Sequence, residues 1–440
     1  MQRINFRRLF AVVLAMVMLF TITVFSLDRY EVAHYDDIGI VFVEDLLDDP
    51  VFSDYLMCQL HAQFGEQFLI NHDIANEVAD RIYDTFPVSR SGEIIYPNSF
   101  GGLYFDSDGN LVLLTVGDYQ FDRSQAYGLC AEITNTDNVR VRAVEFSYSE
   151  LLHVFHAITA FAEENWADES CVIMYNFASV GIDTIGNRVD VALLDTSLPQ
   201  LDLFRAEIVD HPALTFTHVK ERASFDNECV QDSYRTSEEL IQPFSTAANP
   251  GSTIRRGSTT GPGRSIGYRA WLGSTAGFVT AAHATSFNEP FFFGSRKIGY
   301  VSVRHNATDS AFVRLEPGMS VSDRNPSFSH IVSPVAQTNP RVGHVVTRIS
   351  NGGRDSNPNH PIVSTGIILR AEQFIYLRGH GYAHVLQADY VSISGDSGGV
   401  VVTPASGIQI IAGIQSASTS NTSYFSHVSR INTALGVSLH

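Results

Sequence analysis

The residues best suited to chemistry surround Ser397, in the stretch Gly395-Asp396-Ser397-Gly398-Gly399. Glycines on both sides of a serine let the backbone turn tightly, which presents the hydroxyl and lets neighbouring N–H groups point at a developing oxyanion. A glycine-rich turn without any chemistry has the same composition. The pentapeptide therefore predicts a nucleophilic serine, provided that the chain also supplies a base.

The candidate base is His283, because a serine hydroxyl is a weak nucleophile until a base takes its proton. It ends the apolar run Gly277-Phe278-Val279-Thr280-Ala281-Ala282-His283. The imidazole in turn needs an acceptor that holds its tautomer, and Asp309 precedes the apolar run 310–315. Each residue alone has an ordinary structural explanation. The order His, Asp, Ser is one known for catalytic triads and differs from that of subtilisins and α/β-hydrolases.

These segments resemble chymotrypsin-like serine peptidases, and among them the bacterial streptogrisin and α-lytic protease group. The stretches 343–349, 364–366 and 424–438 carry the same resemblance, which covers about the last 190 residues. The acidic region upstream resembles, more loosely, the pro-region of that group. The resemblance implies an all-β catalytic domain, a chymotrypsin-like double β-barrel with its site between the barrels, preceded by an α+β pro-region.

The resemblance also implies catalytic roles. Ser397 attacks a peptide carbonyl to form an acyl-enzyme, while His283 carries the proton and Asp309 orients it. The backbone N–H groups of Gly395 and Ser397 form the oxyanion hole. The implied partners are protein or peptide substrates, and the implied activity is that of a serine endopeptidase. No metal or organic cofactor is implied.

The same resemblance places the substrate. Its binding residues form an edge strand and the base of a specificity pocket: Ser416, Ala417 and Ser418 in the strand, and Val391 with Ser392 at the base. Ser416 is also expected to support Asp309. No carboxylate lies at the base of the pocket, so we expect a preference for apolar or small side chains, with Asp389 the nearby acid that could change it.

Two further features concern the frame of the site. Arg348 matches a position where the group pairs an arginine with the aspartate before the nucleophile, here Asp396. Ala284 follows His283 where the group commonly has cysteine. All four cysteines lie upstream of the catalytic domain, and their spacing indicates no disulfide framework or zinc site: Cys58, Cys130, Cys171 and Cys229.

Short strands separated by turn residues would position the site. They begin after residue 263 and favour a sandwich or barrel, with one helix at 428–435. Upstream, 149–164 has apolar residues at helical spacing with Ser149 as a cap. Gly-Asn pairs on either side predict hairpins over 103–116 and 180–194, in two related α+β units.

At 440 residues, the chain has room for several domains. Arg3, Arg7 and Arg8 before the apolar run 9–27 predict a signal peptide over residues 1–27 and a secreted protein. An uncleaved anchor is the alternative, because the run is long enough to span a bilayer. A pro-region over 28–244, a linker with the maturation site over 245–263 and a peptidase domain over 264–440 complete the expected organisation.

The charge is divided between the two halves. Residues 28–244 hold 11 Lys and Arg against 39 Asp and Glu, a net charge of −28, whereas residues 245–440 hold 15 against 8, a net charge of +7. Opposite charges favour association of the halves. We therefore expect the acidic region to assist folding of the catalytic domain and to block it until the linker is cut. Nucleic-acid binding is not expected, because the arginines are scattered.

Two other functions compete with a peptidase. The chain could be a peptidase fold that has lost turnover and only binds peptides or partners. It could also be a membrane-anchored surface protein whose acidic region is the functional part. Reactivity of Ser397 separates the peptidase from both.

Overall fold

The computed structural model describes residues 60–439, apart from 91–92, 118–138, 224–246, 284, 323–331, 337–338, 353–361, 378–380, 406–407 and 420–421. The predicted signal segment, Ala284 and three of the cysteines lie outside these residues. Cys171, the described cysteine, is free. None of the described helices is both long and apolar enough to cross a bilayer.

The N-terminal region, residues 60–223, is built from helices and two sets of three strands. Its elements are α1 Glu66–Asp84, β1 Phe100–Phe105, β2 Leu111–Val116, β3 Val139–Val144, α2 Tyr148–Asn165, α3 Val172–Asn176, β4 Phe177–Asp183, β5 Arg188–Leu193, α4 Leu198–Glu207 and β6 Leu214–His218. In both sets an antiparallel hairpin is followed by a parallel third strand. Both Gly-Asn hairpins are thus confirmed, and so are the two related units.

Helix α2 begins one residue before the predicted start and has a different cap. Ser147 has extended backbone, and its Oγ accepts a hydrogen bond from Glu150 N at 3.1 Å. Ser149, the predicted cap, already lies inside the helix, so its hydroxyl cannot take that position. The prediction of Ser149 as the cap is wrong.

The C-terminal region, residues 247–439, is almost entirely strand. Its elements are β7 Ala247–Ala248, β8 Thr253–Arg256, β9 Gly263–Ser265, β10 Arg269–Leu272, β11 Thr275–Ala281, β12 Pro290–Phe293, β13 Arg296–His305, β14 Ser310–Leu315, β15 Ser320–Val321, β16 Val332–Ala336, β17 Val345–Ile349, β18 Val363–Leu377, β19 Gly381–Ala388, β20 Val400–Ala405, β21 Ile408–Ser418, β22 Ser423–His427 and α5 Val428–Leu435.

Most of these strands form two large sheets, and β7 and β15 pair in a separate two-stranded sheet. The first has the order β10-β11-β14-β13-β12-β8-β9. The second has the order β17-β20-β21-β22-β19-β18, and β17 also pairs with β18, so that the sheet closes into a barrel. Closure removes the exposed edges that an open sheet would leave. Separate apolar cores fill the interiors.

The predicted linker differs from the structure over 247–263. Strands β7 and β8 lie inside this interval, and Ile254 and Ala248 are fully buried. The strands have two to four residues each, too short to show an apolar period among the Ser, Thr and Gly residues. Strand β8 therefore belongs to the first sheet, and β7 pairs with β15.

The N-terminal region continues the second sheet. Strand β18 pairs with β4 along Gln373, Phe374 and Ile375, which joins β4-β5-β6 to the barrel. A side chain at Gly181 would meet Gln373 Oε1 at 2.1 Å and Glu372 O at 3.1 Å, so glycine leaves Gln373 undisturbed where the two strands meet. The two regions thus share one sheet and its main-chain hydrogen bonds.

Helix α1 makes a second contact between the regions. Arg341 donates hydrogen bonds to Asn76 and Asp80 of the helix. His72 Nε2 accepts from Val345 N at 3.4 Å, and the rings of His72 and His344 lie 5.2 Å apart between centroids. A buried cluster of basic side chains therefore lies where the helix meets the second barrel.

Candidate active site

Paired strands of the first sheet bring His283 and Asp309 together. Ala281 of β11 is opposite Ser310 of β14, so the residues just beyond the strands are neighbours. His283 Nδ1 donates to Asp309 Oδ2 at 2.7 Å, and the backbone N–H of His283 donates to Oδ1 at 2.6 Å. Asp309 has a φ of 40°, a left-handed conformation that costs energy for a residue with a side chain. The two hydrogen bonds from His283 stabilise Asp309 in this unfavourable backbone conformation.

The second barrel supplies another donor to the same carboxylate. Ser416 Oγ, on β21, donates to Asp309 Oδ2 at 2.5 Å. The support of Asp309 by Ser416 is therefore confirmed. Both side chains are buried, so Asp309 is held by groups from both sheets.

Ser397 lies in a loop whose shape depends on glycine. Gly395 has a φ of 98° and Gly398 a φ of 86°, and a side chain at Gly398 would meet Thr280 Oγ1 at 2.1 Å. Within the described chain, the N–H groups of Gly395 and Ser397 donate to no main-chain carbonyl. Both donors are available to an oxyanion.

A buried ion pair supports this loop from behind. Arg348 Nη1 lies 2.9 Å from Asp396 Oδ1, and both side chains are fully buried. Ser350 Oγ donates to the same oxygen at 2.6 Å, and Ile393 N donates to Oδ2 at 3.0 Å. The expected pairing of Arg348 with Asp396 is present, and these three partners of the carboxylate belong to the second barrel.

His283 and Ser397 are not hydrogen-bonded to each other through the serine hydroxyl. Arg264 Nη1 lies 2.6 Å from His283 Nε2, the ring nitrogen that is not bonded to Asp309. Ser397 is 1% exposed, and its Oγ makes no hydrogen bond within the described chain. The structure thus joins His283 to Asp309 and places Ser397 in a glycine-framed loop. It also places Arg264 against the imidazole of His283.

Comparison with known sequences identifies the N-terminal region. A model of the Pro-like N-terminal domain matches residues 64–144, and a model of the Pro-like C-terminal domain matches residues 149–219. Two Pro-like domains therefore lie upstream of the strand-rich C-terminal region. A comparison with curated proteins finds no match.

Three similar solved structures each match 44% of this chain. Protease A of Thermobifida fusca is 21% identical over 44% of this chain and 98% of that one, with a TM-score of 0.37. Cellulomonas bogoriensis chymotrypsin is 21% identical over 44% and 98%, with a TM-score of 0.36. Nocardiopsis protease is 24% identical over 44% and 99%, with a TM-score of 0.36.

The residues expected to bind substrate in the barrel domain fall into an exposed and a buried group. Val391 is 57% exposed, whereas Ser392 is 8% exposed and Ala417 is fully buried in β21. Asp389 Oδ1 accepts from Ile367 N at 2.6 Å, which fixes this carboxylate on the backbone of β18.

A polar network that sequence reasoning missed lies beneath Ser392. Gln415 Nε2 donates to Ser392 Oγ at 2.7 Å and to Ala417 O at 2.9 Å, and Tyr390 OH donates to Gln415 Oε1 at 2.7 Å. Ser423 Oγ donates to Tyr390 O at 2.7 Å. The only signal for Gln415 was its place directly before Ser416. The network ties the pocket base to the edge strand.

Proposed function

We propose that this protein is the precursor of a secreted serine endopeptidase that cleaves peptide bonds through Ser397, His283 and Asp309. The observation that carries the proposal is the pair of His283 and Asp309, joined by two hydrogen bonds and supported by a third from Ser416. This is the arrangement that orients an imidazole to act as a general base. Ser397 lies buried in a glycine-framed loop. Export is supported by the apolar N-terminal run.

In the proposed reaction, the Ser397 hydroxyl attacks the peptide carbonyl carbon as its proton passes to His283 Nε2. The carbonyl oxygen becomes an oxyanion that accepts hydrogen bonds from the N–H groups of Gly395 and Ser397. His283 then gives the proton to the departing amine, which leaves Ser397 acylated. Water then attacks the acyl group while His283 takes its proton. His283 returns that proton to Ser397 Oγ, and the carboxylic acid is released.

The pro-region is proposed to block the barrel domain until the chain is cut between the two. Three observations support this role. Both Pro-like matches lie upstream of the barrels, β4 extends the barrel sheet, and the two halves carry opposite net charges. A chain rich in non-local strand pairing folds slowly, so a bound pro-region can also assist folding.

The proposed function is tested with a fluorophosphonate, which labels only an activated serine. In the reaction, the bond from Ser397 Oγ to phosphorus forms, fluoride leaves, and the proton passes to His283. We expect chain cut between the regions to be labelled at Ser397, with no label in Ser397→Ala. Ser302→Ala, on β13 away from the site, serves as the matched control.

Equal labelling of wild type and Ser397→Ala would contradict the assignment of the nucleophile. A folded, cut chain that takes no label at all would favour the silent binding module or the surface protein.

We propose that the pocket takes apolar or small side chains at the cleaved bond. The residues at its base are Val391 and Ser392, neither of them charged, and the Asp389 carboxylate is bonded to the backbone of Ile367. Peptide amides ending in Leu, Phe or Ala should therefore have a higher kcat/KM than those ending in Lys or Arg. Faster cleavage after Lys or Arg that disappears in Asp389→Asn would instead assign the pocket charge to Asp389.

A further inference from the structure

The contact between Arg264 and His283 uses the lone pair that the proposed reaction needs. A guanidinium has five N–H donors and no acceptor, so His283 Nε2 must accept the hydrogen bond from Arg264 Nη1 at 2.6 Å. His283 Nδ1 donates to Asp309 at 2.7 Å. Both ring nitrogens are therefore committed, and Nε2 cannot at the same time accept the proton of Ser397.

The state of Ser397 agrees with this reading. Its Oγ is buried and makes no hydrogen bond with any described residue. A general base acts only within hydrogen-bond reach of the proton that it removes. With Arg264 in place, the nucleophile and its base lie in one site and are not coupled.

The backbone of Arg264 is fixed, so only its side chain can leave. The neighbouring residue in β9, Ser265, donates from N to Ser397 O at 3.0 Å and from Oγ to Gly395 O at 3.2 Å. Thr280 Oγ1 of β11 donates to Ser265 O at 2.9 Å. These hydrogen bonds fix β9 between the nucleophile loop and the strand that leads to His283. A long, flexible side chain on a fixed strand can change rotamer while the site around it stays intact.

We propose that Arg264 is an autoinhibitory latch of the precursor, which holds His283 away from Ser397 until the side chain turns aside. The proposal rests on the proposed function and concerns the regulation of the same site. Arg264 lies in the first sheet just downstream of the connection between the regions, and it is 4% exposed. Cutting the connection frees the chain end that leads into β7, β8 and β9. The latch thus adds a second block, inside the site, to the one imposed by the pro-region.

The test measures the rate of fluorophosphonate labelling of Ser397 in the intact full chain. Arg264→Met keeps the length of the side chain without a donor, and we expect it to label at least ten times faster than wild type. Arg264→Lys keeps the charge and a donor on a shorter group, so its rate should lie between the two. Arg269→Met is the matched control, because Arg269 stacks over Trp271 at 4.3 Å on the next strand. Mass measurement must show that the labelled chain is uncut.

A second readout separates the latch from a structural effect. Iodoacetamide alkylates an accessible, neutral imidazole: the bond from Nε2 to carbon forms and iodide leaves. The alkylation of His283 in the intact chain should rise in Arg264→Met and stay at the wild-type rate in Arg269→Met. A general loosening would raise the alkylation of other histidines as well, and that result would overturn the proposal.

The failure of the latch and the failure of the proposed function give different results. If the cut wild-type chain is labelled while intact Arg264→Met labels no faster than intact wild type, the latch is wrong and the peptidase proposal stands. If neither the cut chain nor any variant is labelled, both are wrong.

Discussion

Replacing Asp309 with asparagine is expected to lower kcat/KM of the cut enzyme by about ten-thousand-fold, as found for other Ser-His-Asp sites. The carboxylate accepts three hydrogen bonds, from His283 N, His283 Nδ1 and Ser416 Oγ. Asparagine has one acceptor oxygen, so its amide N–H₂ must face at least one of these donors. The imidazole then favours the tautomer with its proton on Nε2, which cannot act as the base.

The measurement is the steady-state hydrolysis of a peptide amide, with kcat and KM separated. The loss should fall on kcat, because Asp309 acts through His283 and not on substrate binding. Glu316→Gln, at the end of β14 where Glu316 pairs with Lys297, is the matched control and should stay near the wild-type rate. A rise in KM at constant kcat, or a loss of less than tenfold, would be incompatible with the proposed role of Asp309.

Acidification is expected to loosen helix α1 from the barrel domain. Burial and the nearby Arg341 lower the pKa of His72 from 6.5 to about 4. Burial, His72 and Arg341 also hold the pKa of His344 well below its ordinary value. Protonation of His72 would remove the acceptor of Val345 N and place a second positive charge beside Arg341. The docked state therefore requires neutral imidazoles.

The direction of this pH effect follows from the difference in proton binding between the docked and the released helix. The released helix takes up protons at a higher pH than the docked helix, so the stabilisation is complete above pH 6.5 and is lost as pH falls towards about 4. For His72 alone, the free energy that holds the helix should fall by about 2 kcal/mol between pH 7 and pH 5. Asp73 acts in the opposite direction, because partial burial and the nearby Glu77 raise its pKa. Its effect is small, since the residue is exposed to solvent.

Amide hydrogen exchange of α1 in full-length Ser397→Ala, corrected for intrinsic rates, measures this free energy. The double variant His72→Gln, His344→Gln should lose the pH dependence, because neither glutamine titrates. His153→Gln removes an exposed histidine from α2 and should keep it. Exchange that is equally protected at pH 7 and pH 5 in the histidine-containing chain would refute the prediction.

Local patterns carried the prediction of many elements. Strand β14 and helix α5 have the predicted ends, 310–315 and 428–435. Both were predictable from signals within a few residues: alternating or helical spacing of apolar residues, with turn residues on either side. The Gly-Asn hairpins were predictable for the same reason, because Asn187 and Gly109 adopt the left-handed conformations that these residue types tolerate.

The long hairpin of the second barrel was only partly predictable. Strand β18 runs without a break over Val363–Leu377, and β19 follows at Gly381–Ala388. Polar residues such as Gln373 and His384 interrupt the apolar pattern. They are accommodated because β4 of the pro-region pairs with β18, and because His384 lies 2.7 Å from Glu163 on α2. A strand stabilised by a distant part of the chain has no local signature.

What the sequence determined by itself were the residue types of the site and their order: a serine among glycines, a histidine after an apolar strand, and an aspartate before another. Their chemistry depends on residue type and local backbone, which short motifs record. Only the tertiary structure placed Arg264 against His283 and Ser416 against Asp309, and put Gln415 beneath Ser392. These contacts join residues far apart in the chain. A single arginine or glutamine belongs to no sequence pattern from which its contact partner can be predicted. Strand pairing and burial decide such contacts, because the packing of both barrels must be complete before these side chains meet.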